Sequence, residues 1–142
     1  MLSLGYPIAR SKALQVLLGM ALAWCLSRLL QMAWPMLRPF SLHVGMQWLA
    51  HRASASFPST HATVASAFAL GVALSVRAWF ARAVVALCVL WVAWSRVSLG
   101  LHFPSDVGAG LMLGVPCALM AAWIGLYAQT AWRSRINRPC KS

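Results

Sequence analysis

Four long apolar runs, separated by short polar and basic stretches, set the pattern of this sequence. They extend from about Ala13 to Pro35, His61 to Val76, Ala83 to Leu101 and Val107 to Ala128. A bilayer core needs roughly 20 apolar residues per helix, which these runs approach or reach, the second being short. Backbone groups inside a bilayer must be satisfied within the segment, which favours helices over strands. The predicted fold is therefore all-α, a polytopic membrane helix bundle with about four transmembrane helices in one domain over residues 1–142.

Composition and charge support a membrane environment. Of the 142 residues, 61% are hydrophobic and only 9% are charged, whereas a soluble domain carries about 25% charged residues. Twelve Lys and Arg stand against a single acid, Asp106, for a net charge of +11. The basic residues lie between apolar runs and form no stripe interleaved with exposed aromatics, which argues against a nucleic-acid partner. A lipid bilayer with anionic headgroups is the partner that this distribution indicates.

The basic residues also predict an orientation. With a cytoplasmic N-terminus, eight of them lie inside and three outside, which is the positive-inside pattern. The three outer ones are Arg38, Arg52 and Arg96, and Arg28 lies within the first span. Both termini would then be cytoplasmic. The loop over residues 35–58 and the turn over residues 102–106 would share the opposite face, where most polar residues capable of chemistry are found.

The stretch from Ser56 to His61 carries one set of such residues. Proline is favoured at the first position of a helix, so Pro58 predicts a helix start with Ser56 as its cap. The backbone N–H groups of Ser59, Thr60 and His61 would then be unpaired at a helix N-terminus, where anions bind. The Ser59 and Thr60 hydroxyls add donors. His61, in the first turn, could protonate a leaving group.

A second set follows the third apolar run. His102 and Asp106 are four residues apart, close enough for the carboxylate to accept a proton from one imidazole nitrogen. That contact would leave the other nitrogen as a nucleophile. The alternative is that Asp106 only favours the start of the fourth helix through the helix dipole.

Arginines could supply the charge that binds a phosphoryl group. A guanidinium binds two oxygens at once and stays charged at every relevant pH. Arg38 and Arg96 are the candidates near the outer face, although boundary arginines also extend to lipid headgroups, the role assigned to Arg52. Arg28 lies deeper, and a charge at such depth usually has a partner or a task.

Together these blocks resemble the type 2 phosphatidic acid phosphatase superfamily. Its signatures occur in order as Arg38-Pro39, as Pro58-Ser59-Thr60-His61, and as Ser95-Arg96, five residues, His102, three residues, Asp106. The resemblance covers about residues 28–128. Within it, three stretches are most similar to bacterial undecaprenyl-diphosphate phosphatases, namely Arg38-Pro39-Phe40, Trp48-Leu49-Ala50-His51 and Phe57-Pro58-Ser59.

The resemblance implies a lipid phosphatase or diphosphatase that forms a phosphohistidine. His102 would attack phosphorus, oriented by Asp106, and His61 would protonate the leaving oxygen and later activate water. The resemblance implies that the phosphoryl oxygens are held by Arg38, Arg96, Ser59 and the backbone of Thr60. No cofactor is implied. The composition favours a metal-independent reaction as well, because two-metal phosphatases need several carboxylates and this chain has one.

Two departures from the family pattern change the expectations. The family has a lysine seven residues before the arginine of its first block, and here that position is Gln31. Arg28, one helical turn deeper on the same face, is expected to replace the missing cation and join Gln31 in binding phosphate. The family core usually has six membrane helices, whereas four are predicted here. One or two N-terminal helices are therefore expected to be absent.

Other interpretations stay open. Undecaprenyl diphosphate, at the outer face of the inner membrane, is the first choice of substrate, with phosphatidate, phosphatidylglycerophosphate or a lipid A phosphate as alternatives. A catalytically degenerate relative is another interpretation. A metal or haem site is disfavoured, because its histidines lack helical pairing and supporting acids; they would be His43, His51, His61 and His102. The oligomeric state is open, including a homo-oligomer that supplies a missing helix.

Overall fold

The computed structural model describes residues 5–39 and 55–136. Its four helices are α1 (Gly5–Ala33), α2 (Thr60–Ser75), α3 (Trp79–Ser98) and α4 (Pro104–Ile136). The regular structure of the described residues is helical throughout, which confirms the predicted all-α bundle. The sequence features that fall on Phe40, His43, Trp48–His51 and Arg52 lie outside the described residues.

Three of the helices are long and apolar enough to cross a membrane. These stretches are Arg10–Ala33, Trp79–Ser98 and Pro104–Trp132. α2 has 16 residues, which at 1.5 Å per residue is about 24 Å, shorter than a bilayer core of about 30 Å. The apolar runs therefore identified the helices, although α1 and α3 begin before their runs and α4 extends beyond its run at both ends.

The core of the bundle is formed by α1, α2 and α4. Small residues let these helices approach closely, as is common in membrane bundles, and the buried cluster consists of Ala23, Ala67, Cys117 and Ala118. At Gly114 of α4, an added Cβ would collide with the Thr63 backbone oxygen of α2. A side chain there would separate the two helices that position the polar end of the bundle.

α3 is attached differently. It packs mainly on α2 and only lightly on α4, and none of its residues is buried. Its large apolar side chains, including Leu87, Leu90, Trp91 and Trp94, are exposed. In a helix of this length and composition, these side chains suit contact with lipid.

One end of the bundle collects the segments that carry the polar residues. The C-terminal ends of α1 and α3 meet the N-terminal ends of α2 and α4 there, and Ser56 N–H donates to the Met36 carbonyl at 2.8 Å. The chain turns from α3 to α4 through Gly100, whose φ of 67° favours glycine. At the opposite end, Lys12 Nζ donates to the Ser75 carbonyl at 2.9 Å.

Candidate active site

A polar pocket of about 260 Å³ opens at the end of the bundle where these segments meet. It is lined by Trp24, Arg28, Gln31, Arg38, Thr60, His61 and His102. Six of these seven residues are among those predicted from the sequence to take part in catalysis or phosphate binding. The fold therefore gathers residues that are up to 74 positions apart in the chain, from 28 to 102.

The nucleophile candidate, His102, lies in a network of buried polar groups. His102 and Asp106 are each 4% exposed. The two residues do not make the direct hydrogen bond expected from their spacing, since His102 Nδ1 lies 3.8 Å from Asp106 Oδ2. The Ser56 hydroxyl lies between them, 3.4 Å from His102 Nδ1 and 2.5 Å from Asp106 Oδ2.

Asp106 also has a role at the start of α4. It lies in the first helical turn, and its Oδ2 accepts a hydrogen bond from Phe103 N–H at 3.1 Å. This is the contact by which an acid in the first turn closes a helix N-terminus. The structural and the catalytic interpretations of Asp106 are thus compatible, because one carboxylate oxygen accepts from both the helix start and Ser56.

Arg38 closes the other side of His102. Arg38 is 5% exposed, and its guanidinium donates to the Leu101 carbonyl at 3.2 Å and the Ala55 carbonyl at 3.4 Å. The same Nη1 lies 3.4 Å from His102 Nε2. Burial lowers the pKa of Arg38, while the charge of Asp106 opposes the change. These bonds hold a cation beside the imidazole nitrogen that faces the pocket.

The surroundings of His102 keep its imidazole neutral at physiological pH. Burial is the main cause and the charge of Arg38 the second, and together they lower the pKa of His102 to about 4, although Asp106 opposes them. The charge of His61 acts in the same direction as Arg38. A neutral imidazole has the lone pair that a nucleophile requires.

The opposite side of the pocket is more open. Arg28 and His61 are exposed there, and Thr60 is half-buried. Arg28 Nη1 donates to Gln31 Oε1 at 3.0 Å. The Gln31 amide nitrogen donates to the Pro58 carbonyl at 2.9 Å and to Thr60 Oγ1 at 3.0 Å. Both amide protons of Gln31 are therefore used within the protein, and its amide oxygen is bonded to the cation of Arg28.

The start of α2 differs from the sequence-based expectation. The helix begins at Thr60, with Ser59 as its N-cap residue and without a side-chain capping bond, so Ser56 is not the cap. The Phe57–Pro58 peptide bond is cis. Ser59 N–H, expected to be unpaired, donates to the Asp106 carbonyl at 3.1 Å. The helix starts two residues later than predicted because Ser56 and Ser59 are bonded to α4 instead.

Ser59 and Arg96 do not line the pocket. The Ser59 hydroxyl is buried and has no hydrogen-bond partner within the part of the chain that the structure describes. Arg96, in the last turn of α3, donates from Nε to its neighbour's hydroxyl, Ser95 Oγ, at 3.3 Å. Because α3 packs mainly on α2 and only lightly on α4, its C-terminal turn is not drawn into the network around His102.

An apolar groove continues from the polar pocket along the side of the bundle. It has a volume of about 440 Å³ and shares Trp24, Thr60 and His61 with the pocket. Its other lining residues are Met20, Val64, Ala65, Phe68 and Val92. They come from α1, α2 and α3, so the groove runs over α2 between two helices that do not pack on each other.

Sequence patterns alone do not identify two residues of the site. They predict a helix cap for Ser56 and no role for Trp24, which lines both cavities. The residues next to Ser56 in the sequence do not indicate its role, because its partners lie 46 and 50 positions away. Within residues 5–39 and 55–136, no group of three His, Cys, Asp or Glu side chains is placed to hold a metal ion.

The sequence is similar to those of a known protein family. The profile of the PAP2 superfamily matches residues 12–130. The chain is 35% identical over 117 residues to the Escherichia coli (strain K12) protein named "Putative undecaprenyl-diphosphatase YbjG", a match covering 82% of this chain and 59% of that protein. It is 40% identical over 72 residues to a "Lipid A 1-phosphatase" of Rhizobium johnstonii, covering 51% of this chain and 29% of that protein.

A solved structure shares the fold. The crystal structure of Aquifex aeolicus LpxE matches with a TM-score of 0.74 at 24% sequence identity, covering 80% of this chain and 68% of that one. At this identity the likeness concerns the fold. The chain spans less than two thirds of the length of both curated relatives.

Proposed function

The chain belongs to the PAP2 superfamily, and from this premise we propose that it is a metal-independent lipid phosphatase or diphosphatase that works through a phosphohistidine. The observation that carries the proposal is the arrangement of His102. Its Nδ1 is directed at a buried hydroxyl and carboxylate, and its Nε2 lies beside Arg38. A neutral nucleophile next to a fixed cation suits attack on a phosphoryl group.

The proposed reaction has two steps. In the first, the His102 Nε2 lone pair forms a bond to phosphorus while the bond from phosphorus to the leaving oxygen breaks. His61 gives its proton to that oxygen. In the second, His61 takes a proton from water, the water oxygen attacks phosphorus, and the N–P bond breaks to return His102 and release phosphate. The exposure of His61 supports this role, because a residue that both gives and takes protons needs access to water.

Phosphate binding is assigned to groups on both sides of the pocket. Arg38 is positioned to exchange its long contact with Nε2 for phosphoryl oxygens. Thr60 Oγ1 accepts a hydrogen bond from Gln31, which leaves its own proton available to a ligand. The buried Ser59 hydroxyl is a further candidate donor. Arg96 stays a predicted phosphate ligand that would have to leave Ser95 to reach the pocket.

Arg28 is proposed to replace the lysine that the family pattern has at position 31. Gln31 cannot donate to phosphate while both of its amide protons are bonded to Pro58 and Thr60. Its amide oxygen instead accepts a hydrogen bond from one nitrogen of Arg28, and the rest of that guanidinium is available at the pocket. Gln31 thus acts by orienting Arg28 and Thr60, and the charge comes from Arg28.

The apolar groove supports a lipid as substrate. It shares Trp24, Thr60 and His61 with the polar pocket, so a molecule with a phosphorylated head and a hydrocarbon chain would fill both. Undecaprenyl diphosphate is the proposed substrate, in line with the named activity of the Escherichia coli relative. A lipid A phosphate, in line with the Rhizobium relative, phosphatidate and phosphatidylglycerophosphate are the alternatives.

The proposed location is the bacterial inner membrane, with the site on the periplasmic face. The positive-inside distribution of Lys and Arg supports this orientation. The pocket lies at the end of the bundle where α1 ends and α2 begins, opposite to Lys12. A lipid substrate would then enter sideways from the outer leaflet, with the bilayer as the partner surface.

The test is phosphate release from undecaprenyl diphosphate by the purified protein in detergent with excess EDTA, beside His102→Ala. We expect release that is insensitive to EDTA and reduced about 1,000-fold or more by His102→Ala. The three alternative lipid phosphates are assayed in parallel to identify the substrate. Loss of activity with EDTA would contradict metal independence. No release from any of the four by folded protein would favour the catalytically degenerate interpretation.

A further inference from the structure

Ser56 is the buried polar residue at the site to which the sequence assigned no chemistry. Its side chain has no exposed surface, and its backbone N–H is fixed on the Met36 carbonyl. The hydroxyl lies 2.5 Å from Asp106 Oδ2 and 3.4 Å from His102 Nδ1. The hydroxyl therefore lies between His102 and Asp106, which were expected to form a direct hydrogen bond.

A serine hydroxyl has a single proton, and this determines the direction of the chain of hydrogen bonds. A carboxylate can only accept a hydrogen bond, so Ser56 donates its hydroxyl hydrogen bond to Asp106. The Ser56 oxygen can then only accept from His102, which requires the proton of the neutral imidazole to be on Nδ1. The hydroxyl thereby favours one of the two tautomers, beside the backbone of Ser56, which also hydrogen-bonds to His102 and raises its pKa.

The contact on the other side of the imidazole is consistent with this assignment. A guanidinium has donors and no acceptor, so Arg38 Nη1, at 3.4 Å from His102 Nε2, faces a nitrogen with a lone pair. Two neighbours on opposite sides of the ring thus require the same tautomer. Histidine tautomers are inferred from such partners, and here the partners agree.

We propose that Ser56 is a positioning residue that holds His102 in the tautomer protonated on Nδ1. It links Asp106 to His102 through a chain of two hydrogen bonds. This rests on the proposed function for its consequence: only this tautomer has its lone pair on Nε2, the nitrogen that would bond to phosphorus. When that bond forms, the imidazole ring becomes positively charged. Ser56 and Asp106 then stabilise the charge through the Nδ1 proton.

The experiment compares wild type, Ser56→Ala and Ser56→Thr by long-range ¹H–¹⁵N NMR of the protein labelled on histidine, in detergent at neutral pH. His102→Asn assigns the signals among the four histidines of the chain. We expect a pure Nδ1–H tautomer in wild type, a mixture in Ser56→Ala, and recovery in Ser56→Thr, which retains the hydroxyl. The tautomer is a readout that a merely structural serine would not change.

Kinetics with undecaprenyl diphosphate in mixed micelles give a second readout. Ser56→Ala is expected to lower kcat about 10- to 100-fold with little change in KM, as is usual for a group that orients a reacting one. Ser27→Ala is the matched control. Ser27 is equally buried, but among the described residues its hydroxyl bonds only within its own helix, to the Trp24 carbonyl at 2.9 Å, so wild-type kcat is expected.

An Nε2–H tautomer in the wild-type protein would overturn the proposal, and this measurement needs no variant to fold. So would an Nδ1–H tautomer that Ser56→Ala leaves unchanged, whatever the activity, or a changed tautomer with wild-type kcat. If the wild-type protein released no phosphate from any lipid, the proposed function would fail. The NMR spectra would still decide whether Ser56 sets the tautomer.

Discussion

The two sides of the pocket are built differently. The closed half consists of Arg38, Ser56, His102 and Asp106, which are at most 5% exposed and bonded to one another or to backbone. The open half consists of Arg28, Thr60 and His61, none of which is buried. Gln31, which is buried, forms hydrogen bonds with both Arg28 and Thr60.

This difference matches two different tasks. A nucleophile must keep one tautomer and one direction of attack, which burial and a complete set of partners can provide. A group that protonates a leaving oxygen, or binds a phosphate that arrives and departs, needs room and contact with water. We therefore expect substitutions in the closed half to lower kcat, and substitutions in the open half to act through KM or through the leaving group.

Within the closed half, Asp106→Asn is expected to have the largest effect after loss of His102 itself. An asparagine amide can donate to Ser56, which would turn the serine proton toward His102 Nδ1 and favour the unreactive tautomer. We expect kcat to fall by up to about 10⁴-fold, the loss known for a wrong-tautomer variant of a catalytic triad, with KM little changed. Steady-state phosphate release measures both constants, and an equal rise in KM would place Asp106 in substrate binding instead.

His61→Gln should lower kcat less, by about 100-fold, as general acid catalysis is typically worth 10²- to 10⁴-fold. The loss should depend on the substrate. A phosphate ester whose leaving group needs no proton, such as p-nitrophenyl phosphate, should still phosphorylate His102 in this variant. Detection of acid-labile phosphoprotein after quenching measures that step, with His102→Ala as the blank. Equally slowed phosphorylation of His102 by the lipid and by p-nitrophenyl phosphate would contradict the assignment of His61.

Arg28→Ala should raise KM about tenfold with kcat nearly unchanged, because it removes one charge-assisted contact at an exposed site. Adding Gln31→Lys to this variant should restore KM, since it places a cation where the family pattern has one. Arg82→Ala, which removes an exposed arginine bonded to the Val76 carbonyl at the opposite end, is the control. A wild-type KM in Arg28→Ala would show that Arg28 does not replace the lysine.

Two glycines of α4 allow an effect on the closed half to be distinguished from a general effect on the stability of the helix. A Cβ on Gly110 would lie 2.7 Å from the Ser59 carbonyl oxygen, whereas a Cβ on Gly108 meets nothing within 4 Å. Gly110→Ala should therefore shift α4 and Asp106 away from α2, costing about 1–3 kcal/mol of stability and lowering kcat. Gly108→Ala should be neutral or slightly stabilising. Thermal unfolding in detergent and kcat for both variants test this, and equal behaviour would contradict the close α2–α4 approach.

A pH titration of the wild-type protein tests the closed half without any substitution. Burial and the charge of Arg38 lower the pKa of His102 to about 4, against the opposing charge of Asp106, so NMR should show a neutral ring at pH 5.5, where an ordinary histidine is mostly charged. In the unfolded chain His102 binds a proton near pH 6.5, and in the folded protein only near pH 4. Its contribution to stability is therefore present above pH 6.5 and lost as pH falls toward 4. A pKa near 6.5 in the folded protein would contradict the closed environment.

Much of the fold follows from short-range features of the chain. Each apolar run is a helix, because apolar residues in a continuous run of this length have no other stable conformation in a bilayer. The helix ends were less predictable. Pro104 and Asp106 start α4 within the stretch expected to be a turn, and α2 begins at Thr60 because Ser56 and Ser59 are bonded to α4 instead.

The sequence by itself also determined the candidate chemistry: a single acid four residues from a histidine, arginines at the membrane boundary and three motif blocks in order. These are properties of residue type and spacing, which the chain displays before it folds. Only the tertiary structure decided the contacts between distant residues. It placed Ser56 between His102 and Asp106, turned both protons of Gln31 inward, and left Arg96 outside the pocket. A hydroxyl or an amide takes whichever partner the packing of α1, α2 and α4 brings within 3 Å or so, and no spacing along the chain specifies that partner.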